Sequence, residues 1–215
     1  MAVSDADART DVGQPGSGRA TARWGVAFVV LLLLSAGMVT VPGQDDGVSF
    51  VREFYEANRA VIVISQVIGL AAAVAFLPFA RGLQRQHWVG RGPWVFAGGA
   101  AVTATAVVAA VPPLALCVLA RAAGPSTVSS LAAASDVVDV VLFSAVTAFA
   151  VAVAVSVNIS WMRALAAVVA LVCGVRALLL LTGGASLELT APMAFIVLVL
   201  CLAILSWRSP RSVRP

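Results

Sequence analysis

Long blocks of apolar residues alternate with short polar stretches along this chain. Six such blocks stand out, at residues 24–41, 59–80, 94–120, 131–157, 161–182 and 190–207. A bilayer core about 30 Å thick needs about 20 residues of helix, and each block is close to that length or longer. The blocks are continuously apolar and do not alternate with a period of two, which favours helices over barrel strands. The pattern therefore predicts an all-α fold, a polytopic membrane helix bundle with six transmembrane helices.

The segments outside the blocks are polar. Residues 1–23 are rich in Gly, Ser, Ala and Asp, so we expect a disordered cytoplasmic N-terminal tail. Residues 24–207 then form the transmembrane domain, and residues 208–215 form a short basic cytoplasmic tail.

Residues 48–57 differ from the other connections because apolar and charged positions recur there at helical spacing. Val48, Val51 and Tyr55 share one face, while Glu53 and Glu56 take the opposite one. This pattern is typical of a short amphipathic helix that lies on the outer leaflet and leads into the second span. A plain N-terminal extension of that span is the alternative.

Composition changes the picture only by excluding other classes of protein. Hydrophobic residues make up 61% of the 215 residues and charged residues only 11%, with a mean hydropathy of +1.01. Soluble domains are about 45–50% apolar and about 25% charged. An ordinary soluble enzyme, a disordered chain and a nucleic-acid-binding module are therefore excluded. We expect membrane lipids as partners, and we do not expect a nucleic acid.

Positive charge is distributed unevenly between the two sides of the predicted bundle. All 14 basic residues are arginines. Ten flank connections on the side of both termini, three flank those on the other side, and Arg176 lies inside a block. Cytoplasmic loops carry such an excess, so we expect a multi-pass protein of the cell inner (cytoplasmic) membrane with both termini in the cytoplasm. Tryptophans at the predicted helix ends mark the same interface. The ten arginines are Arg9, Arg19, Arg23, Arg81, Arg85, Arg91, Arg163, Arg208, Arg211 and Arg214; the three are Arg52, Arg59 and Arg121; the tryptophans are Trp24, Trp94, Trp161 and Trp207.

Three ionisable residues fall well inside the apolar blocks, where each costs about 2.5–3.5 kcal/mol on insertion scales. Asp136 and Asp139 are spaced i,i+3 on one helix face of the fourth block, and Arg176 lies in the fifth. The short turn between these blocks predicts an antiparallel hairpin, which brings Asp139 and Arg176 to a similar depth in the outer leaflet. We expect Asp136 one turn closer to the surface, within reach of Arg121. Small residues on the same face predict that the acids point into the bundle; they are Ala132, Thr147, Ala150 and Ala154.

Further polar features converge on the same side of the membrane. Asn58 and Arg59 end the polar run that enters the second block, and Gln66 follows two turns deeper. Pro112 and Pro113 interrupt the third block, and broken helices are tolerated where they line a cavity. An outward-facing polar pocket is therefore expected, and a purely structural Asp–Arg pair that fixes helix packing is the alternative. The candidate binding residues are Asp136, Asp139, Arg176, Arg121, Asn58 and Arg59.

Pairs of small residues spaced i,i+4 predict where helices approach closely. Gly69 with Ala73 and Ala97 with Ala101 are two such pairs. Metal or cofactor chemistry has no comparable support, because the three cysteines are widely separated and the single histidine, His87, lies in a loop. We expect no metal and no cofactor, and we assign a catalytic role to no residue.

The run Phe54-Tyr55-Glu56-Ala57-Asn58-Arg59, followed by Phe76-Leu77-Pro78-Phe79, resembles a pattern in uncharacterised six-helix multi-pass membrane proteins of high-GC bacteria. The helix with Asp136 and Asp139, followed by Trp161-Met162-Arg163, is similar to the second half of the same group. The resemblance covers most of the chain from about residue 24. It implies a bacterial membrane protein and carries no activity onto particular residues.

Two classes of function fit these observations. The first is a non-enzymatic accessory, sensory or small transporter-like protein with a polar Asp/Arg centre in the outer leaflet. The second is a membrane-embedded enzyme that acts on a lipid or isoprenoid, with Asp136 or Asp139 as a general acid in a pocket open to lipid. A structural partner without any pocket is a third possibility. A membrane protein partner and a homo-oligomer both stay open.

Overall fold

The computed structural model describes residues 17–39, 41–42, 47–90, 92–119, 122–182, 187 and 189–209. Within these ranges the regular structure is helical, and one isolated β-bridge joins Val89 to Val157. The helices are α1 (Ser17–Met38), α2 (Val48–Ala57), α3 (Arg59–Gln84), α4 (Trp94–Ala109), α5 (Val111–Leu119), α6 (Pro125–Ser156), α7 (Ser160–Leu181) and α8 (Thr190–Arg208).

Six helices of the described chain are long and apolar enough to cross a membrane, with α4 and α5 counted as one broken helix. The predicted membrane bundle is confirmed in this respect. Only 28% to 44% of the most apolar stretch of each helix is buried by protein. The outward surface is correspondingly apolar; Val74 and Leu171, for example, are 65% and 67% exposed. Such a surface requires hydrocarbon rather than water around it.

The six spans form a closed ring in chain order. Helix α1 packs on α3, α3 on α4, α4 on α6, α6 on α7 and α7 on α8, and α8 returns to α1. Neighbours are antiparallel because each connection is short. Helices α1 and α6 therefore stand on opposite sides of the ring, with two helices between them in each direction.

One end of the ring, called the basic end below, is where α1, α4 and α7 begin and where α3, α6 and α8 end. Exposed Arg19, Arg23, Arg81 and Arg163 lie there, and the guanidinium of Arg19 stacks 5.6 Å from the centre of the Trp207 ring. The connection from α3 to α4 folds under the ring at this end. Its Trp88 is buried and donates a 3.0 Å hydrogen bond from Nε1 to Ser209 Oγ. The opposite end is called the far end.

Phenylalanine rings fill the half of the ring near the basic end. Phe76 of α3 contacts Phe28 of α1, Phe149 of α6 and Phe195 of α8, with ring centroids 4.7 to 5.7 Å apart. Phe149 and Phe195 also meet edge to face at 6.1 Å. All four rings are buried. They fill the interior between α1, α3, α6 and α8, and this group is called the phenylalanine floor below.

Close helix approach depends on glycines and serines more than on the predicted alanine pairs. Gly69 fits against Ser35, and Ala73 is buried, as the first pair predicts. The second pair is a wrong prediction, since Ala97 and Ala101 are exposed on the outer side of α4. Their neighbour Gly99 makes the contact instead, because a Cβ atom at that position would overlap the Cβ atom of Ala80.

The chain termini and helix breaks differ from the predicted bounds. Helix α1 begins at Ser17, so the expected disordered tail over residues 1–23 is wrong for its last turns; residues 1–16 lie outside the described ranges. Thr21 and Ala22 are buried against the bundle, and this packing extends the helix beyond the apolar block. Arg208 belongs to α8, and the rest of the basic tail from residue 210 is likewise outside the description.

The third span breaks where the two prolines predict it. Helix α4 ends at Ala109 and α5 starts at Val111, and Pro112 and Pro113 are both buried. Proline lacks the N–H that would bond the carbonyl four residues earlier, so the regular ladder cannot continue through Ala110. The break lies about 25 Å from the basic end of α4, at the height where polar residues enter the interior.

Candidate functional site

The hairpin of α6 and α7 brings Asp139 and Arg176 to the same height. Asp139 lies about 25 Å from the basic end of α6, and Arg176 about 24 Å from the start of α7. Asp136 and Arg176 are both close enough for their charges to act on Asp139. Asp136 and Arg176 each make a polar or electrostatic interaction within the protein. Two carboxylates and one guanidinium thus share one region of the bundle.

Arg176 faces the inside of the ring. Its side chain is only 8% exposed, and it continues the inward stripe of α7 formed by Met162, Val169 and Cys173, all of them fully or almost fully buried. A long cationic side chain within one or two turns of a helix end often reaches outward to lipid headgroups. Burial of the guanidinium among the helices shows that Arg176 does not do so here.

Asp139 also lies on an inward-facing stripe, yet it is exposed. Residues seven and eleven positions away on a helix share its face, and all four of these neighbours are at most 5% exposed. Asp139 alone on this stripe is exposed. The interior of the ring is therefore filled on both sides of this height and open at Asp139. The four buried neighbours are Val128, Ala132, Val146 and Ala150.

The facing wall of the ring opens at the same height. On α1 the inward stripe is buried at Ala22 and Val29 and becomes exposed at Ala36, about 28 Å from the basic end. Helix α8 begins only at Thr190, and the Cys173 thiol lies 3.7 Å from the Ala191 carbonyl oxygen. Because Arg176 lies about one turn beyond Cys173, α8 stops short of this level. From the exposure of Asp139 and Ala36 we infer that the interior between them is open, and it is called the chamber below.

A pair of serines at the height of the chamber joins α1 to α3. Ser35 Oγ donates to the Ser65 carbonyl at 2.8 Å, and Ser65 Oγ donates to the Ser35 carbonyl at 3.0 Å. Ser65 lies about 28 Å from the basic end of α3. Sequence reasoning missed this pair, because two isolated serines in different apolar blocks carry no sign that they face each other. With Asp139 and Arg176 they form one polar layer across the bundle.

Helix α2 closes the interior at the far end. Its Val51 and Tyr55 are buried against inward-facing residues of three other helices, Ile62 of α3, Cys117 of α5 and Val128 of α6. The predicted amphipathic helix therefore exists as a separate element. Its apolar face contacts protein through Val51 and Tyr55, and its expected position on the outer leaflet stays a prediction. Val51, Tyr55, Ile62, Leu116, Cys117 and Val128 are called the roof below.

Two buried polar atoms, one in Tyr55 of the roof and one in Arg52 beside it, lack hydrogen bonds within the described part of the chain. Tyr55 is 1% exposed, and among the described residues neither its hydroxyl nor Arg52 Nε has a hydrogen-bond partner. Burial raises the pKa of Tyr55, and the adjacent Cys117 thiol adds to the rise. Arg52 is held from its other end, since Nη2 donates to the carbonyl oxygen of Ala123 in the turn before α6.

Asn58 and Arg59 lie on the far side of the roof and do not join the chamber. Asn58 Nδ2 donates to the Phe54 carbonyl at 3.0 Å, and the Asn58 carbonyl accepts from the Ile62 N–H at 3.0 Å. Asn58 therefore shapes the turn between α2 and α3. Arg59 is exposed, and its charge acts on the Cys117 thiol. Arg121 lies outside the described residues.

The single pocket expected from these residues is divided in two. The chamber lies between the floor and the roof, whereas the acidic side of α2 borders a groove of about 440 Å³ on the outer surface. Gln66, the polar residue of α3 expected near the same pocket, is half-buried. Glu53 and Glu56 line the groove together with Arg52, Ser49, Val48 and Pro125. The expectation of one continuous polar pocket is therefore wrong, because the roof separates the polar run of α2 from the charged centre.

The chamber offers charge and hydrogen-bonding groups rather than metal ligands. Across the described part of the chain, no three His, Cys, Asp or Glu side chains come together to hold a metal ion. Two carboxylates and one guanidinium carry a net negative charge when all are ionised. Such an arrangement attracts a small cation, or a ligand with an amino group, into the chamber. Comparisons of the chain with protein-family models, with curated proteins and with solved structures give no match.

Proposed function

We propose that this protein is a non-enzymatic sensory or accessory protein of a bacterial cytoplasmic membrane that receives a small polar ligand or ion in its chamber. One observation carries the proposal. Asp139 is exposed on a stripe of α6 whose other members are buried, above a floor of packed phenylalanine rings. An ionisable residue kept inside a membrane bundle and left accessible there is typical of a functional site.

The distribution of arginine supports an orientation with the basic end in the cytoplasm. Six exposed arginines lie at that end among the described residues, against Arg59 and the half-buried Arg52 at the far end. Exposed tryptophans, which prefer the headgroup level, crowd the same end. Under this orientation α2 and the roof face the outside of the cell. The six arginines are Arg19, Arg23, Arg81, Arg85, Arg163 and Arg208.

The phenylalanine floor favours a sensory or accessory role over transport. A transporter exposes its site alternately to the two sides of the membrane. Here Phe28, Phe76, Phe149 and Phe195 separate the chamber from the basic end with ring contacts from three sides of the bundle. Opening a path would require all these contacts to separate, while a ligand that enters and leaves on the outer side does not disturb them.

The position of Asp139 also favours this role over catalysis on a lipid. An enzyme of that kind needs its acid to meet the substrate from the bilayer. The exposed outer stripe of α6 carries Val137, Val141 and Val155, and Asp139 lies on the opposite side of the helix. Its carboxylate therefore faces the chamber and not the acyl chains.

Cysteine labelling in whole cells tests the chamber directly. In a background of Cys117→Ala, Cys173→Ala and Cys201→Ala, the Ala36→Cys variant is compared with Leu34→Cys, using a charged, membrane-impermeant methanethiosulfonate. The two positions lie on the same turn of α1, but Ala36 faces the chamber and Leu34, 54% exposed, faces lipid. Only an aqueous environment allows the thiolate to form and react.

We expect Ala36→Cys to react at least about tenfold faster than Leu34→Cys from the outer side. In inside-out vesicles the same reagent should leave Ala36→Cys unmodified, because the floor blocks its path. Equal and slow reaction of both variants, also when Tyr55→Ala removes the main roof contact, would refute the chamber. Reaction of Ala36→Cys from both sides would refute the non-transport role and indicate alternating access.

A further inference from the structure

We propose that α2 is a lid that turns about Asn58 and opens the chamber to the outside. This purpose rests on the proposed function, whereas the movement itself does not depend on any ligand. The lid differs from the spans in length, packing and polarity. It has ten residues, it contacts the far ends of α3, α5 and α6, and its outward side is charged.

The lid is attached through its own small hydrophobic cluster. The roof residues form a group separate from the main core that contains the phenylalanine floor. Val51 and Tyr55 are the only lid side chains in that group that are fully buried. Regions held by few buried contacts open locally at a lower free energy than the global core does. The roof therefore separates without disturbing the ring below it.

The closed lid also buries hydrogen-bonding atoms that it does not satisfy. The Tyr55 hydroxyl and Arg52 Nε have no hydrogen-bond partner among the described residues. A buried donor without a partner destabilises the state in which it is buried, and here that state is the closed one. Lifting α2 returns both groups to water and removes the penalty. The two states are thereby brought closer in free energy, as a switch requires.

The connections of α2 suit a hinge and a latch. At the hinge, Asn58 leaves the helical conformation with φ −108° and ψ 13°, between the end of α2 and the start of α3. At the latch, Arg52 Nη2 donates to the carbonyl oxygen of Ala123. Glu53 and Glu56 already border the surface groove, so opening does not expose a new apolar surface on that side.

Lifting the lid uncovers the route to Asp139. Val128, which contacts the roof, lies on the same inward stripe of α6 as Asp139, three turns closer to the far end. Ile62 and Cys117 likewise face the interior from α3 and α5. With Tyr55 and Val51 removed from this position, the interior is continuous from the far end to the chamber.

The protein contains its own reporter of this movement. The Cys117 thiol is 5% exposed beneath the lid, so a charged thiol reagent reaches it only when α2 lifts. With Cys173→Ala and Cys201→Ala, Cys117 is the single thiol, and its rate of modification by a charged methanethiosulfonate measures the open population when opening is fast. The protein is assayed full-length, in detergent micelles and in cells.

Two substitutions at one position should change this rate in opposite directions. Tyr55→Ala removes the main roof contact and is expected to accelerate labelling at least about tenfold. Tyr55→Phe keeps the contact and removes the unpartnered hydroxyl, so labelling should slow by about tenfold, equivalent to about 1.4 kcal/mol. Ser49→Ala, on the exposed side of the lid, is the matched control and should leave the rate unchanged.

Labelling of Tyr55→Phe at the wild-type rate or faster would overturn the lid. If Tyr55→Ala does not fold, Tyr55→Phe still decides the question. Failure of the chamber gives a different result: Ala36→Cys would stay unreactive even in the presence of Tyr55→Ala, while Cys117 still responded to the lid variants.

Discussion

The charged centre should respond asymmetrically to loss of its cation and loss of one of its anions. Replacement of Arg176 by Gln leaves Asp136 and Asp139 as like charges one turn apart inside the bundle. Side chains spaced i,i+3 are about 6 Å apart, and at an effective dielectric constant of about 20 their repulsion is about 3 kcal/mol. In the wild type the Arg176 guanidinium attracts Asp139 and offsets this repulsion, so its loss in Arg176→Gln should destabilise the protein by about the same amount.

Replacement of Asp139 by Asn should have a much smaller effect. The substitution removes one attraction, to Arg176, and one repulsion, from Asp136, so the two changes largely offset each other. A change below about 1 kcal/mol is expected. The double variant Arg176→Gln/Asp139→Asn should then recover most of the stability lost in Arg176→Gln, because the remaining Asp136 carboxylate no longer faces a second negative charge.

Thermal stability in detergent measures these differences. The fraction of protein that stays monodisperse after heating gives an apparent melting temperature, and about 1 kcal/mol shifts it by about 2–4 °C in a chain of this size. Arg176→Gln should melt roughly 6–12 °C lower than wild type. Arg81→Gln, an exposed arginine at the basic end, controls for the substitution itself. A double variant no more stable than Arg176→Gln would refute the reasoning, and so would an Asp139→Asn variant that loses as much.

Two further predictions concern the floor and the closest helix contact. Phe76→Ala should lower stability by about 3–5 kcal/mol, because the fully buried ring contacts four other phenylalanines. In the same assay Val74→Ala, on the lipid side, should change stability by less than about 1 kcal/mol. Phe76→Ala should also allow the charged reagent to reach Ala36→Cys from the basic end. Continued protection of Ala36→Cys from that end would show that the floor is not the barrier. Gly99→Val should abolish folded yield, since even a methyl group overlaps Ala80, while Ala101→Val on the exposed side of α4 should fold normally. A folded Gly99→Val protein with wild-type melting would contradict the α3–α4 packing described above.

The sequence by itself determined the membrane architecture. Because hydrocarbon satisfies no backbone polar group, a run of about 20 apolar residues has to be a helix, and six runs give six spans. The same logic locates the break at Pro112 and Pro113, where the backbone lacks donors. The equal height of Asp139 and Arg176 also follows from the chain alone, since a short turn fixes the register of the two helices it joins.

Tertiary structure alone decided what surrounds those charges. Four phenylalanines on four helices meet as one floor, and two serines 30 residues apart bond to each other, because the ring closes α8 onto α1 and seats α1 against α3. No local pattern specifies which small residue makes a contact, so Ala97 looked equivalent to Gly99. The amphipathic face of α2 likewise had two apolar surfaces available, lipid and protein. Periodicity reports that a face is apolar, and only the assembled bundle determines what it packs against.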